Sequence, residues 1–243
     1  MFGIIDKIYT FFRKHQKIYA TPTTPTIKKY SNHKEYWFCF LPTIVARQEI
    51  NTPTLTPQRG TAYIYTLNAR SIIHPDPIKT VHNLTTLYND AKKHIRSIKK
   101  GKINYVGVSL GNVLIYKLAT LRPNQHLISI VPGAELGPAA TDSIVTSDIV
   151  KRTLGTEKTY WKNVSMFDPI RHLNNIKTKK IHLYLAKHDL LIRYHHGEKL
   201  LHALKNHPGL YTKIYNYFDH CTSIHFAQRE LRAYWKNMLT HTR

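Results

Sequence analysis

The sequence contains little of what several classes of protein require. Its 243 residues include two cysteines, Cys39 and Cys221, which are too few for a disulfide framework, so a reducing, cytoplasmic location is expected. No apolar run approaches the roughly 20 residues of a membrane span. The first stretch, MFGIIDKIYTFFRKHQKIY, has no small-residue cleavage site and carries Asp6 and Lys7 among its apolar positions, which argues against a signal peptide.

Cofactor and metal signatures are also missing. The chain has neither a phosphate loop ending in Gly-Lys-Ser/Thr nor a Gly-rich dinucleotide fingerprint, so no cofactor is expected. The spacings His-Glu-x-x-His and Cys-x-x-Cys are absent as well, and we predict no metal site. His188, His195 and His196 lie close together in sequence, where a metal site is conceivable. In a chain with 16 histidines, a surface cluster is the simpler interpretation.

Acidic residues are scarce, since 14 Asp and Glu stand against 36 Lys and Arg and give a net charge of +22 with neutral histidines. Such a balance attracts polyanions such as nucleic acid or anionic lipid. The basic residues are nevertheless spread along the whole chain, without zinc-finger spacing or an aromatic RNA-binding motif. We therefore expect no specific nucleic-acid partner, and a general compositional bias is the preferred explanation of the charge.

Residues 1–30 are predicted to form a basic amphipathic segment followed by a Thr/Pro linker, ahead of one domain over 31–243. Within 1–19, isoleucines and phenylalanines recur at helical spacing between lysines and arginines. This segment can contact an anionic membrane surface weakly, which would make the protein peripheral, or it can pack on its own domain. The stretch ATPTTPTIKKYSNH reads as a linker because its Thr-Pro pairs disfavour helices and central strands.

Past the linker, predicted strands and helices alternate. This order is typical of an α/β fold class with a mostly parallel central sheet and helices on both faces. Several strand candidates are apolar on both faces, as doubly covered strands must be. The strand candidates are 35–41, 61–67, 104–109, 126–131, 180–186 and 212–218. The helix candidates are 80–99, 111–121, 143–154, 195–206 and 223–239.

The segment NYVGVSLGNVLIYKLA contains a serine between two glycines where a strand runs into a helix. So tight a turn strains its central residue, and side chains at Gly107 and Gly111 would collide. The turn lifts the Ser109 hydroxyl above the sheet, and the backbone N–H of Leu110 then points to where an oxyanion would develop. Ser109 is therefore a candidate nucleophile.

A serine nucleophile needs a base and an acid that orients the base. Asp189 follows the strand KIHLYLA directly and is the candidate acid; alternatively, it only caps a helix or turn. His220 follows the last strand in the loop NYFDHCTSI, whereas His225 would lie one turn into the next helix and is the weaker candidate for the base. Cys221 is expected to be a bystander, and Asp168 is expected to cap a short helix before Pro169.

These segments resemble the α/β-hydrolase superfamily over about residues 35 to 239. The resemblance implies a serine hydrolase in which GVSLG is the nucleophile elbow, and Ser109, Asp189 and His220 form the catalytic triad. It also implies an oxyanion hole built by Leu110 and, in the loop after the third strand, Arg70. Two departures stand out. Asp219 occupies a position that is usually Gly, and Asn68-Ala69 stands where His-Gly is usual. Arg70 could instead meet a negatively charged substrate.

The resemblance implies a carboxylic ester hydrolase with an acyl-enzyme intermediate, no cofactor and a small-molecule acyl ester as substrate. A small helical cap is expected over about 132–179, with Tyr160, Trp161 and Phe167 closing an apolar pocket for acyl chains of about four to eight carbons. A non-catalytic protein of the same fold, or a basic protein that binds polyanions or a membrane surface, is the alternative. The oligomeric state stays open.

Overall fold

The computed structural model describes residues 24–42, 55–57, 59–153 and 155–240, with side chains as far as Met238. The basic segment 1–19 and the first part of the expected linker lie outside the described residues. Helices and strands are numbered below in chain order among the described residues.

A seven-stranded sheet forms the centre of the molecule, in the order β1-β3-β2-β4-β5-β6-β7. Only β1 runs antiparallel to its neighbour, β3, and the other five pairings are parallel. The strands are β1 Thr26–Lys29, β2 Glu35–Pro42, β3 Thr61–Leu67, β4 Lys102–Val108, β5 Asn124–Ile130, β6 Thr178–Ala186 and β7 Leu210–Tyr215.

The inner strands are apolar on both faces because a separate core lies on each side of the sheet. In β2, Phe38 and Phe40 enter one core, while Trp37 and Cys39 enter the other. This period-2 alternation between two buried environments is what a sheet covered on both faces demands. The near-continuous apolar runs in the sequence therefore predicted these strands correctly.

Helices cover both cores. They are α1 Ala69–Ile72, α2 Pro77–Ser97, α3 Asn112–Leu118, α4 Leu136–Asp142, α5 Ser147–Val150, α6 Glu157–Val164, α7 Tyr194–Leu204 and α8 His220–Thr240. Short 3-10 helices span Ser109–Gly111, Ser165–Phe167 and Pro169–Asn175. Residues of α2, α3 and α7 fill the core around Phe38, whereas α8 packs Ile224, Leu231 and Trp235 into the core around Trp37. The predicted α/β class, with helices on both faces of a mostly parallel sheet, is confirmed.

The longest helix on the Phe38 side illustrates how sequence sets an element. Asp76 caps α2, and its carboxylate accepts a hydrogen bond from the Ile78 amide at 2.9 Å. Pro77 occupies the first helical position, where its missing N–H costs nothing. The buried side chains of α2 recur every three or four residues: Thr80, Leu84, Leu87, Ala91 and Ile95.

Three sequence predictions need correction. Thr26–Lys29, which we assigned to the linker, forms an exposed edge strand, a position that the nearby Thr-Pro pairs tolerate. The helix predicted over 143–154 shrinks to the single turn Ser147–Val150. The last helix begins at His220 rather than at 223, because Asp219 caps it by accepting a hydrogen bond from the Thr222 amide at 2.8 Å.

The stretch between β5 and β6 holds α4, α5, α6 and two of the 3-10 helices. We expected the aromatic rings of this stretch to close the pocket, and this prediction is wrong, since Tyr160, Trp161 and Phe167 do not line it. Two of the rings instead attach the stretch to its surroundings. Tyr160 is fully buried, with its hydroxyl 3.1 Å from the Thr80 hydroxyl of α2. The Trp161 indole donates to the Thr141 hydroxyl at 2.9 Å. The helices of the described residues include none that is long and apolar enough to cross a membrane.

Candidate active site

Ser109 occupies a strained turn between β4 and the helical segment that follows it. Its φ is +54°, in the left-handed region that a serine adopts only when the surroundings enforce it. The glycines on either side make this turn possible. A Cβ at Gly107 would lie 2.7 Å from the Ile115 side chain, and one at Gly111 would lie 2.2 Å from the Phe40 carbonyl oxygen. The geometry expected of a nucleophile elbow is therefore present.

Asn112 holds this turn in place, a role that the sequence analysis missed. Its side chain is fully buried and donates to the Ser109 carbonyl at 2.8 Å and to the Ile130 carbonyl at 2.9 Å. Its Oδ1 atom accepts a hydrogen bond from the Ser129 hydroxyl at 2.8 Å. Asn112 thereby ties the elbow to the carboxyl end of β5. In the sequence it is simply a polar residue after Gly111, and nothing local identifies its partners.

Asp189 and His220 form a buried pair. Asp189 follows β6 and is 4% exposed, and His220 begins α8 and is 2% exposed. His220 Nδ1 lies 2.7 Å from Asp189 Oδ2. The other carboxylate oxygen, Oδ1, accepts from the backbone amides of Leu191 and Ile192, each at 2.8 Å. Because the carboxylate only accepts, it fixes the proton on Nδ1 and leaves Nε2 with a free lone pair.

One pocket brings Ser109 and His220 together. Ser109, Leu110 and His220 line it, along with side chains that are mostly apolar. The hydrogen bonds of the described residues include none between the Ser109 hydroxyl and the His220 ring, so that contact stays a prediction. Such bonds are often long in enzymes without substrate. The remaining pocket wall consists of Pro42, Leu67, Ala69, Ile73, Val113, Gly133, Glu135, Leu136, Ala139, Ala140, Ser143, Val145, Thr146, Leu191, Ile192 and Cys221.

The weaker candidates lie elsewhere or do something else. His225 is exposed on α8 and does not line the pocket. Cys221 does line it, next to His220. Asp168 does not cap the 3-10 helix after it with its side chain. Its carboxylate instead accepts from the Leu136 amide at 2.8 Å and so supports the pocket wall, while burial raises its pKa to about 6.

The predicted oxyanion donors have different surroundings. The Leu110 amide lies in the first turn after β4, where backbone N–H groups have no helical partner, and Leu110 lines the pocket. The Arg70 amide, in contrast, already donates to Asn68 Oδ1 at 3.1 Å, because Asn68 caps α1. The prediction that the Arg70 amide is the second donor is therefore wrong. The preceding amide, of Ala69, has no hydrogen-bond partner in the described part of the chain, and Ala69 lines the pocket.

The Arg70 side chain is also bound to other residues, so the expectation that it meets a negatively charged substrate is wrong as well. Its guanidinium forms a two-pronged ion pair with Asp148, with both N···O distances at 3.1 Å, and donates to the Val145 carbonyl at 2.7 Å. These contacts fasten α1 to α5 at the pocket margin. The paired charges leave the pocket wall without a free guanidinium at this position.

The structure regroups the clustered histidines. His188 is exposed and stands apart from the group formed by His195 and His196, which instead meet Asp142 at the end of α4. Among the described residues, this is the set of side chains that could hold a metal ion. It lies outside the lining of the pocket.

Comparisons by sequence find no relative, since neither a family model nor a curated protein matches the chain. Comparisons of structure do find similar folds. An acylaminoacyl peptidase from Pyrococcus horikoshii aligns with a TM-score of 0.57 at 14% identity, covering 93% of this chain and 42% of that one. Est1E from Butyrivibrio proteoclasticus aligns with a TM-score of 0.56 at 13% identity, covering 88% of this chain and 93% of that one.

The esterase Pf2001 from Pyrococcus furiosus aligns with a TM-score of 0.57 at 11% identity, covering 86% of this chain and 82% of that one. The chain spans about two fifths of the length of the acylaminoacyl peptidases it matches. At such identities the likeness concerns the fold alone, and the fold that these structures share with this chain is the α/β-hydrolase fold.

Proposed function

We propose that this chain of α/β-hydrolase fold is a serine hydrolase that cleaves carboxylic esters through Ser109, His220 and Asp189. The buried hydrogen bond from His220 to Asp189 carries the proposal, because His220 lines the same pocket as the strained Ser109. A carboxylate costs free energy to bury, and its position against an imidazole is the arrangement that orients a general base. The structural neighbours include esterases and peptidases, which agrees with a hydrolase.

The reaction starts at the Ser109 hydroxyl. His220 Nε2 takes its proton while the serine oxygen attacks the ester carbonyl, and Asp189 stabilises the imidazolium that forms. His220 then returns the proton to the departing alcohol, which leaves an acyl group on Ser109. A water molecule, activated by the same ring, attacks the acyl carbonyl and frees both the acid and the serine.

Two backbone amides bind the negative oxygen that develops during each attack. The Leu110 amide is one, as the elbow geometry predicts. We assign the second role to the Ala69 amide instead of Arg70, because Asn68 Oδ1 occupies the Arg70 amide. Donors held on the backbone need no reorganisation when the charge develops, and each contributes about 3 to 4 kcal/mol to transition-state stabilisation in enzymes of known mechanism.

The pocket wall, which is largely apolar around Ser109, supports this substrate class. Leu136, Ala139 and Ala140 of α4, together with Leu191 of the loop after β6, suit an acyl chain rather than a charged group. We expect turnover of soluble esters with about four to eight acyl carbons, since each buried methylene contributes roughly 0.8 kcal/mol until the pocket is full.

Hydrolysis of p-nitrophenyl esters of two to sixteen carbons tests this proposal. The natural chain should turn over p-nitrophenyl butyrate, and Ser109→Ala should lose several orders of magnitude in kcat/KM. The matched control Ser97→Ala changes an exposed serine of α2 and should keep full activity. Activity that climbs to sixteen carbons would refute the acyl-length assignment, and comparable cleavage of p-nitroanilides would point to a peptidase. Full activity in Ser109→Ala would refute the assignment of Ser109 as the nucleophile.

A further inference from the structure

Three side chains that could ligate a metal converge between two helices. Asp142 ends α4, and His195 and His196 lie in the first turn of α7. The Nε2 atoms of His196 and His195 lie 2.9 Å and 3.4 Å from the same oxygen, Asp142 Oδ2. All three ligand atoms fall within 4.8 Å of one another.

These distances are close to those of a tetrahedral zinc site. Zinc binds imidazole nitrogen and carboxylate oxygen at about 2.0–2.2 Å, so two ligand atoms on one tetrahedron lie about 3.3–3.5 Å apart. The two distances to Asp142 need changes of only a few tenths of an ångström to match. His195 can make the remaining adjustment, because its side chain is 60% exposed.

The charge and exposure of the group also suit a cation. His196 is buried, and the Asp142 carboxylate, which only accepts, holds the ring proton on Nε2; a metal ion takes the place of this proton, which moves to Nδ1. The nearby Glu135 carboxylate adds negative potential, although it also pairs with Lys199 at 2.5 Å. Asp142 and His195 are partly exposed, so an ion can enter from solvent and a water molecule can complete its coordination.

We propose that Asp142, His195 and His196 bind one divalent transition-metal ion of the zinc class. Imidazole and carboxylate together suit such ions, whereas Mg²⁺ and Ca²⁺ prefer sites built from oxygen alone. The ion joins α4 to α7. Because Ala139 and Ala140 of α4 line the pocket, it fixes one wall of that pocket while staying outside the reaction itself.

Zinc binding tests the proposal independently of any enzyme activity. The full chain, purified without a polyhistidine tag and stripped with a chelator, is titrated with Zn²⁺ by calorimetry and analysed for metal after dialysis. One ion per chain should bind. His195→Ala and Asp142→Asn should each weaken this binding at least tenfold, and His196→Ala should abolish it. His202→Ala removes an exposed histidine of the same helix and should bind zinc as the natural chain does.

Thermal unfolding provides the second readout. At a zinc concentration a hundredfold above the natural chain's Kd, the melting temperature should rise by about 5 to 10 °C, and this rise should fall to about half or less in His195→Ala. Without zinc, His195→Ala should melt like the natural chain, because its side chain is largely exposed. Should His196→Ala fail to fold, the other two variants decide. Equal zinc binding in all variants, or binding without stabilisation, would overturn the proposal and leave an ordinary ion pair.

Discussion

Replacing Asp189 with asparagine exchanges one carboxylate oxygen for an NH₂ group and tests how the general base is oriented. In the natural chain, Oδ1 accepts two backbone amides and Oδ2 faces His220 Nδ1. An asparagine has only one accepting oxygen. If that oxygen keeps the Leu191 and Ile192 amides, the NH₂ group must face His220. The ring then places its own proton on Nε2, where it cannot accept one from Ser109.

The size of the activity loss depends on the free-energy cost of turning the asparagine amide the other way. Turning the amide so that its oxygen faces His220 leaves two N–H donors unsatisfied, one buried and one partly buried, at up to about 1 to 3 kcal/mol each. The productive tautomer is therefore rare, and the negative charge that stabilises the imidazolium is lost as well. We expect kcat/KM for p-nitrophenyl butyrate to fall by about 10³ to 10⁴, or about 4 to 5.5 kcal/mol.

The assay compares Asp189→Asn with Asp219→Asn, in purified proteins with matching circular dichroism. Asp219 is the neighbour of His220 and caps α8, and asparagine caps a helix about as well as aspartate, so this control should keep its activity. A folded Asp189→Asn variant within tenfold of the natural chain would refute the role we assign to this carboxylate.

Three further predictions concern the base, a buried carboxylate and the amino-terminal segment. His220→Ala should abolish ester hydrolysis while His225→Ala keeps it, since His225 is exposed and outside the pocket; the reverse result would move the base into the helix. Burial raises the pKa of Asp168 from 3.8 to about 6, so the folded state binds the proton of this carboxyl group more tightly than the unfolded state does. The protonated carboxyl group therefore stabilises the fold fully below pH 4, and this stabilisation is lost as the pH rises through 6. Relative to Asp168→Asn, the natural chain should therefore lose roughly 2 to 3 kcal/mol of unfolding free energy between pH 4 and pH 7, and parallel stability curves would contradict this. Deletion of residues 1–19, which spares the edge strand β1, should abolish any salt-sensitive co-sedimentation with anionic vesicles and leave hydrolysis intact, whereas an insoluble product would mean that the segment packs on the domain.

Short-range patterns predicted the sheet and the triad candidates because both depend on neighbours in sequence. Strands buried on two faces must be apolar throughout, and a serine at a strand-to-helix turn needs Gly107 and Gly111 on either side. Asp189 could be picked out for the same reason, as a carboxylate directly after a strand. These features need no knowledge of which distant segments meet.

Features that depend on distant partners were not predictable. The hydrogen bonds of Asn112 reach Ile130 on the next strand, and the ion pair of Arg70 reaches Asp148, 78 residues away. The strand Thr26–Lys29 exists through its pairing with β3, not through its own propensity. Helices of four to eight residues between β5 and β6 are too short to display a clear period.

Labelling by a fluorophosphonate probe tests the central claim most directly, because the probe reacts with a serine only when a base activates it. The natural chain should be labelled once, and mass spectrometry should place the adduct on Ser109. Ser109→Ala should not react, and Asp189→Asn should react far more slowly. A natural chain that stays unlabelled while folded, or an adduct on any other residue, would contradict the assignment of Ser109 as an activated nucleophile.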